Sequence, residues 1–340
     1  MNPAIEKPKI GITLGDPSGI GPEVTLKALD SPMVRAACSP ILVGSLDVVE
    51  RAIAEFSFPF RIERREDGFR LAGRHGSPMR LMVEGPTPAS RNSGSATARQ
   101  TIRWIAQGAR LALSGMADAL ATAPVSKESL LRCGIEFTGH TEFLESLSHS
   151  KKSTMMFVSP KLVASIVTTH LPLEEVPCAI SRERVLSAIL HTHTALRRFF
   201  KKKHPRIAVS GLNPHAGEGG FLGKEEKEIV SPAVKLAARR GVAVSGPFSA
   251  DSIFLRALKG EFDAVVAMFH DQALPVLKTL FPKTCVNVTL GLPFVRTSPG
   301  HGAAKDIAWK GEADESGMVE AILLAARLSR AWKRPLVWSI

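Results

Sequence analysis

Short apolar runs without polar alternation recur along this chain at residues 9–14, 41–44, 118–124, 162–169, 206–214, 262–269 and 286–290. Uninterrupted runs of this length are what a parallel sheet covered on both faces asks of its strands. Between them the apolar positions shift to helical spacing. The pattern predicts helices over 24–29, 46–53, 95–113, 125–131, 181–199, 224–239, 249–258 and 318–332. Residues 56–92, rich in Arg, Gly and Pro, read as a peripheral meander. Strands alternating with helices define an α/β fold with a mainly parallel sheet. No internal repeat or flexible linker divides the 340 residues, so two domains, if present, are interleaved.

Three of the predicted strands run into histidines, at His170, His215 and His270, the last followed by Asp271 and Gln272. The carboxyl ends of strands line the ligand crevice in open parallel sheets. Imidazole is also the side chain best suited to zinc and related metals. Any one of the three taken alone reads better as an ordinary hydrogen-bonded histidine, but the repeated context favours a metal site.

Composition narrows the function classes. Lys and Arg exceed Asp and Glu by 44 to 32, a net charge of +12. The basic residues are dispersed apart from Arg197, Arg198 and Lys201 to Lys203, which read as a solvated face. No nucleic-acid-binding signature accompanies them, so no nucleic-acid partner is expected, and the positive field suits a small anionic substrate. No apolar stretch approaches a membrane span, and no signal-peptide segment precedes the first strand. Four dispersed cysteines fit reduced thiols and a cytoplasmic location; Cys133, Cys178 and Cys285 read as packing residues. The absence of tyrosine excludes dehydrogenases that use a catalytic Tyr-Lys pair.

The glycine-rich segment Gly15 to Glu23 has the order G-x-x-x-G-x-G, not the dinucleotide fingerprint G-x-G-x-x-G. Gly219 to Lys224 likewise misses the phosphate-loop pattern. Thr138 to Glu142 reads as a helix start beside His140 and Thr141, either a plain cap or an anion contact. Lys278, Asn287 and Arg296 are polar residues in apolar context, where cations usually have an anionic partner. The four tryptophans, Trp104, Trp309, Trp332 and Trp338, read as core or surface anchors.

Together these segments resemble the 4-hydroxythreonine-4-phosphate dehydrogenase family, NAD-dependent enzymes of vitamin B6 synthesis. The resemblance covers residues 10–324 and rests on GDPSGIGPE at 15–23, TAPVSKE at 122–128, GHTEFL at 139–144 and TTHLPL at 168–173. It continues through GLNPHAGEGG at 211–220, GPFSADS at 246–252, FHDQALPVLK at 269–278 and NVTLGLPFVRTS at 287–298. It implies an isopropylmalate dehydrogenase-like fold: two α/β/α domains with mainly parallel sheets and a cleft between them. The first would take residues 1–135 plus 296–340, the second 136–295, with the metal ligands and a dimer interface. It further implies that His170, His215 and His270 hold one divalent metal (zinc, magnesium or cobalt) across a homodimer interface. His140, Thr141, Lys278, Asn287 and Arg296 would contact the substrate, and His301, Gly302 and Asp306 the NAD or NADP. Two departures stand out. Family members often carry His where this chain has Phe221. They usually have an acidic residue and a glycine where it has Gly300 and Trp309.

The expected reaction is metal-dependent oxidative decarboxylation of a small phosphorylated hydroxy-amino acid, 4-phosphohydroxy-L-threonine, to 3-amino-2-oxopropyl phosphate. The alternatives are a related dehydrogenase of 4-phosphorylated threonate or erythronate or of an aromatic cis-dihydrodiol, and a three-histidine metal hydrolase without nicotinamide. If His170 and His270 come from opposite chains, mixing His170→Ala with His270→Ala protein restores intact sites.

Overall fold

The structure, a computed structural model, describes residues 6–83 and 94–332. In chain order its strands are β1 (Lys9–Thr13), β2 (Ser39–Gly44), β3 (Arg61–Arg65), β4 (Gly68–Ala72), β5 (Met79–Val83), β6 (Ala119–Thr122) and β7 (Thr154–Val158). They continue as β8 (Val163–Ile166), β9 (Ile207–Ser210), β10 (Val244–Phe248), β11 (Ala264–Ala267), β12 (Val286–Leu290) and β13 (Val295–Pro299). The chain forms two compact units. One runs to Ser150 and resumes at Leu292; the other spans Lys151–Gly291. The α/β class is as the periodicity predicts. The division differs from the expected one, because residues 136–150 stay with the first unit. Helix His140–Leu147 packs on the long helix Gly94–Leu113, and Phe137 and Leu144 share a core cluster with Ile105, Leu120 and Leu130. An apolar stripe with that partner cannot leave it without exposing Leu144, which is fully buried.

In the first unit the strand order is β13-β6-β1-β2-β5-β4-β3. The strands from β13 to β5 run parallel, and β4 and β3 pair antiparallel with the strand before them in that order. The meander of residues 56–92 is thus an antiparallel extension of the sheet as far as Val83; residues 84–92 lie outside the described residues.

In the second unit the order is β10-β9-β11-β8-β7-β12, parallel from β10 to β8 and antiparallel at β7 and β12. Its central strands explain their own sequences. Ile207 and Val209 of β9 and Val266 of β11 face a core built with helices Arg182–Arg198 and Ser231–Arg239. Ala208, Val265 and Ala267 face a second core with helices Ala250–Leu258 and His270–Leu280. Both faces are covered, so polar alternation is absent. These strands are shorter than the apolar runs suggest, ending at Ile166, Ser210 and Ala267. The leftover residues form loops that carry the histidines. Cys38 and Cys285 are buried and Cys133 is half-buried, but Cys178 is exposed and does not pack as expected. The basic cluster from Arg197 to Lys203 is solvated at each of its charged positions. No helix among the described residues is long and apolar enough to cross a membrane.

Candidate active site

The first unit gathers a buried cationic cluster. Arg296 lies on β13 and is 2% exposed. Its Nε and Nη2 donate to Thr122 Oγ1 on neighbouring β6, at 3.2 and 2.7 Å. Burial holds this guanidinium down at about 9, against which the Glu142 carboxylate acts to raise it. Burial also lowers Lys127, again partly offset by Glu142. His140 opens helix His140–Leu147 and is held well below its ordinary value, first by burial and then by the Arg296 and Lys127 charges. It is therefore a neutral imidazole at pH 7. Its buried Nε2 has no hydrogen-bond partner among the described residues. Thr141, beside it, is buried. Two cations, one carboxylate and a neutral ring with an unused nitrogen make a cradle whose missing component is an anion. The sequence pointed to His140, Thr141 and Arg296. It did not single out Lys127, Thr122 or Glu142, although Thr122 and Lys127 stand in the TAPVSKE segment.

The Gly15 to Glu23 loop packs against that segment. Asp16 Oδ1 accepts from Ser18 N and Oγ at 2.8 and 2.7 Å, and its Oδ2 accepts from Ser126 N at 3.3 Å. On its other side the loop meets residues 301–313. Ile20 N donates to Ala303 O at 2.9 Å, and a Cβ on Gly19 would stand 2.6 Å from that oxygen. Glycine is required there for close approach. Buried Glu23 accepts from Ala313 N at 2.9 Å and from Lys27 Nζ at 2.7 Å. His301 is half-buried, and its ring carbon Cδ2 and nitrogen Nε2 lie 3.0 Å from where a Cβ on Gly317 would be. Gly302 and Asp306 are exposed.

The second unit holds the histidines. His170 follows β8 and His270 begins helix His270–Leu280; their ring centroids are 5.5 Å apart. Two imidazoles sharing one zinc at about 2.1 Å place their centroids about 5 Å apart, so the pair fits a common cation. His270 Nδ1 lies 2.6 Å from Asp271 Oδ1. A carboxylate only accepts, so Nδ1 carries the proton and Nε2 keeps the lone pair a metal needs. Gln272 fixes the start of this helix by accepting from Met268 N at 2.7 Å and donating to Gly211 O at 2.8 Å. The pair lines a cavity of about 250 Å³ with Thr169, Leu171, Leu173, Val176 and Phe269. His215 does not join them. Among the described residues no three His, Cys, Asp or Glu side chains are placed to hold one ion. Its side chain is 64% exposed, with Nδ1 2.7 Å from Glu218 Oε1, a contact that raises its pKa. Lys278 is exposed, and the buried Oδ1 of Asn287 has no hydrogen-bond partner among the described residues.

The backbone under His215 is unusual. His215, Ala216, Gly217, Glu218 and Gly219 all have positive φ, between 43 and 76°. Successive left-handed residues are costly for side chains other than glycine. The turn is held by buried Glu226, whose Oε1 accepts from Leu212 N and Asn213 N at 2.8 and 2.7 Å and whose Oε2 accepts from Asn213 Nδ2 at 3.0 Å. Glycine-rich sequence here is a clamped turn rather than a phosphate cradle. A Cβ on Gly217 would lie 2.6 Å from Glu226 Oε2. Gly217→Ala is therefore expected to cost about 1–3 kcal/mol, read as a lower thermal midpoint. An unchanged midpoint would mean that Glu226 does not clamp the turn.

Known proteins match this chain over a span that includes both clusters. The family model described as pyridoxal phosphate biosynthetic protein PdxA matches residues 36–325. A 4-hydroxythreonine-4-phosphate dehydrogenase of Geobacter metallireducens is 43% identical over 327 residues, covering 95% of this chain and 96% of that one. A D-threonate 4-phosphate dehydrogenase of Salmonella typhimurium is 39% identical over 330 residues, covering 96% and 100%. The crystal structure of 4-hydroxythreonine-4-phosphate dehydrogenase from Klebsiella pneumoniae superposes with a TM-score of 0.80 at 36% identity, over 95% of this chain and 100% of that one. With the family match running through the cationic cradle and the histidine loops alike, this chain belongs to the PdxA family.

Proposed function

We propose that this protein is a metal-dependent NAD(P) dehydrogenase that converts 4-phosphohydroxy-L-threonine to 3-amino-2-oxopropyl phosphate and CO2. The cluster of buried Arg296, half-buried Lys127 and neutral His140 carries this reading, in a chain whose relatives are named for such substrates. A bound divalent cation acidifies a hydroxyl it coordinates, and a bound nicotinamide accepts the hydride. The chain's own residues do the rest. Arg296 and Lys127 hold the substrate's anionic groups, and their burial strengthens each charge-assisted contact. Neutral His140 offers Nε2 as a hydrogen-bonding group without adding a charge that would have to be desolvated. Asn287 Oδ1, buried and unpartnered, suits the substrate's ammonium. Fixing the substrate in this way is what turns binding into rate. Oxidation of the secondary alcohol removes one hydride and one proton. The resulting ketone stands β to the carboxylate, so the C–C bond to CO2 breaks readily.

His170 and His270 hold the metal from one chain, and His215 is supplied by the partner in a homodimer. Support comes from the separation of His215 from the other two in a single chain. His301, Gly302 and Asp306 serve the cofactor, NAD or NADP.

The name of the Salmonella relative favours a second reading, oxidation of D-threonate 4-phosphate. NADH and NADPH formation with 4-phosphohydroxythreonine, 4-phosphothreonate, 4-phosphoerythronate and a cis-dihydrodiol separates the two. The hydroxythreonine phosphate is expected to give the highest kcat/KM. A higher value for the threonate, which lacks the amino group, would replace the first reading by the second.

A further inference from the structure

Trp309 occupies the left-handed region, with φ of 62°. A bulky residue rarely rests there, and it stays only when its surroundings over-determine the conformation. Here three contacts do so. The indole N–H donates to Pro17 O at 2.8 Å. The ring stacks on Phe56 with centroids 5.5 Å apart and planes 16° from parallel. The Arg51 guanidinium carbon lies 3.7 Å from the ring centroid, within the range of a cation–π contact.

The partners come from separate pieces of the first unit. Pro17 belongs to the Gly15 to Glu23 loop, while Arg51 lies in helix Leu46–Glu55 and Phe56 caps it. The same loop already binds the 301–313 segment through Ile20 N and Ala303 O. Lys27 adds hydrogen bonds to Gly311 O and Ala313 O at 2.9 and 2.8 Å. The segment is thus pinned at Ala303 and again from Trp309 to Ala313. Lys305 and Asp306, between the pins, are exposed.

We propose that Trp309 is a positioning residue that holds the 301–308 loop ready for NAD(P), so that cofactor binding does not have to order the loop. This rests on the reading that His301, Gly302 and Asp306 serve the cofactor. Its physical basis is preorganisation: a loop already fixed loses less freedom on binding.

The test uses the full-length enzyme and direct binding of NAD+ and of NADP+ alone, together with steady-state kinetics. Trp309→Gly suits a φ of 62° and removes all three contacts, so the fold is retained. It is expected to raise Kd and KM for the preferred nucleotide about tenfold. At saturating cofactor kcat should stay within about twofold of wild type, and metal affinity should not change. Trp309→Phe, which keeps the stack, should recover most of the loss. Asp306→Ala serves as the control for the loop itself. If Asp306→Ala weakens nucleotide binding and Trp309→Gly does not, the positioning role of Trp309 is overturned and the loop assignment stands. If neither variant affects nucleotide binding, the loop assignment fails and the proposal with it. A parallel fall in kcat, metal affinity and thermal midpoint in Trp309→Gly would identify a merely structural residue, which also overturns it.

Discussion

Mixing inactive His170→Ala and His215→Ala proteins is expected to restore about a quarter of wild-type turnover, by the symmetry of a two-fold dimer. Random exchange makes half of the dimers mixed. In each mixed dimer one site combines an intact His170–His270 pair with an intact His215 from the other chain, and the second site carries both lesions. His170→Ala mixed with His270→Ala should stay inactive. The two rings lie 5.5 Å apart within one chain, so every site in that mixture lacks one of them. This is the outcome expected when His170 and His270 belong to one chain. Differently tagged chains report the exchange, and bound metal per dimer should follow the same fractions, because a ligand missing from the set weakens metal binding. Recovery in the second mixture but not the first would refute the assignment.

Arg296→Met is expected to raise the substrate KM, and lower kcat/KM, by a factor corresponding to ~2–5 kcal/mol, the usual loss when one partner of a buried charged contact is removed. KM for NAD(P) should change little. Methionine keeps most of the side-chain length and none of the charge. In the empty protein Arg296 is a buried cation whose pKa is pushed down to about 9, so its charged form already carries a desolvation penalty. The protection that substrate gives against melting should be lost in the variant. A selective rise in the KM for NAD(P) would move Arg296 to the cofactor side.

How far the chain could be read in advance depended on where each residue's partners lie. Strands β9 and β11 were visible because both of their faces are apolar. Strand β13 was not predicted: Val-Arg-Thr-Ser-Pro carries three polar residues in a row, and they are buried where Arg296 finds Thr122 across the sheet, 174 residues away, and Thr297 donates to Ala321 O. Lys127 escaped for the same reason, since its neighbours His140 and Glu142 belong to the next helix. The histidines were legible as a repeated context, but the pairing of two and the separation of the third follow from the loops beyond each strand. Glycine spacing alone could not show the turn at 215–219. Gly217 serves a left-handed turn imposed by Glu226, a carboxylate nine residues on.

The interruption of the first unit also bears on how the molecule is made. Residues Lys151–Gly291 form one continuous stretch that contains strands β7 to β12. The first unit must wait. Until the chain has passed Pro299, strand β6 has no β13 beside it, and until helix Ser316–Ser329 has been made, β13 and β6 lack the helix that packs on them. Domains fold as they emerge from the ribosome, so the later-begun unit can be complete first. A nascent chain stalled near residue 291 would carry a folded second unit beside a first unit with an open sheet edge, the surface most prone to pair with other chains. Arg296 follows the Lys151–Gly291 stretch, so the cluster it forms with Thr122 and Lys127 is completed only after the second unit has been made.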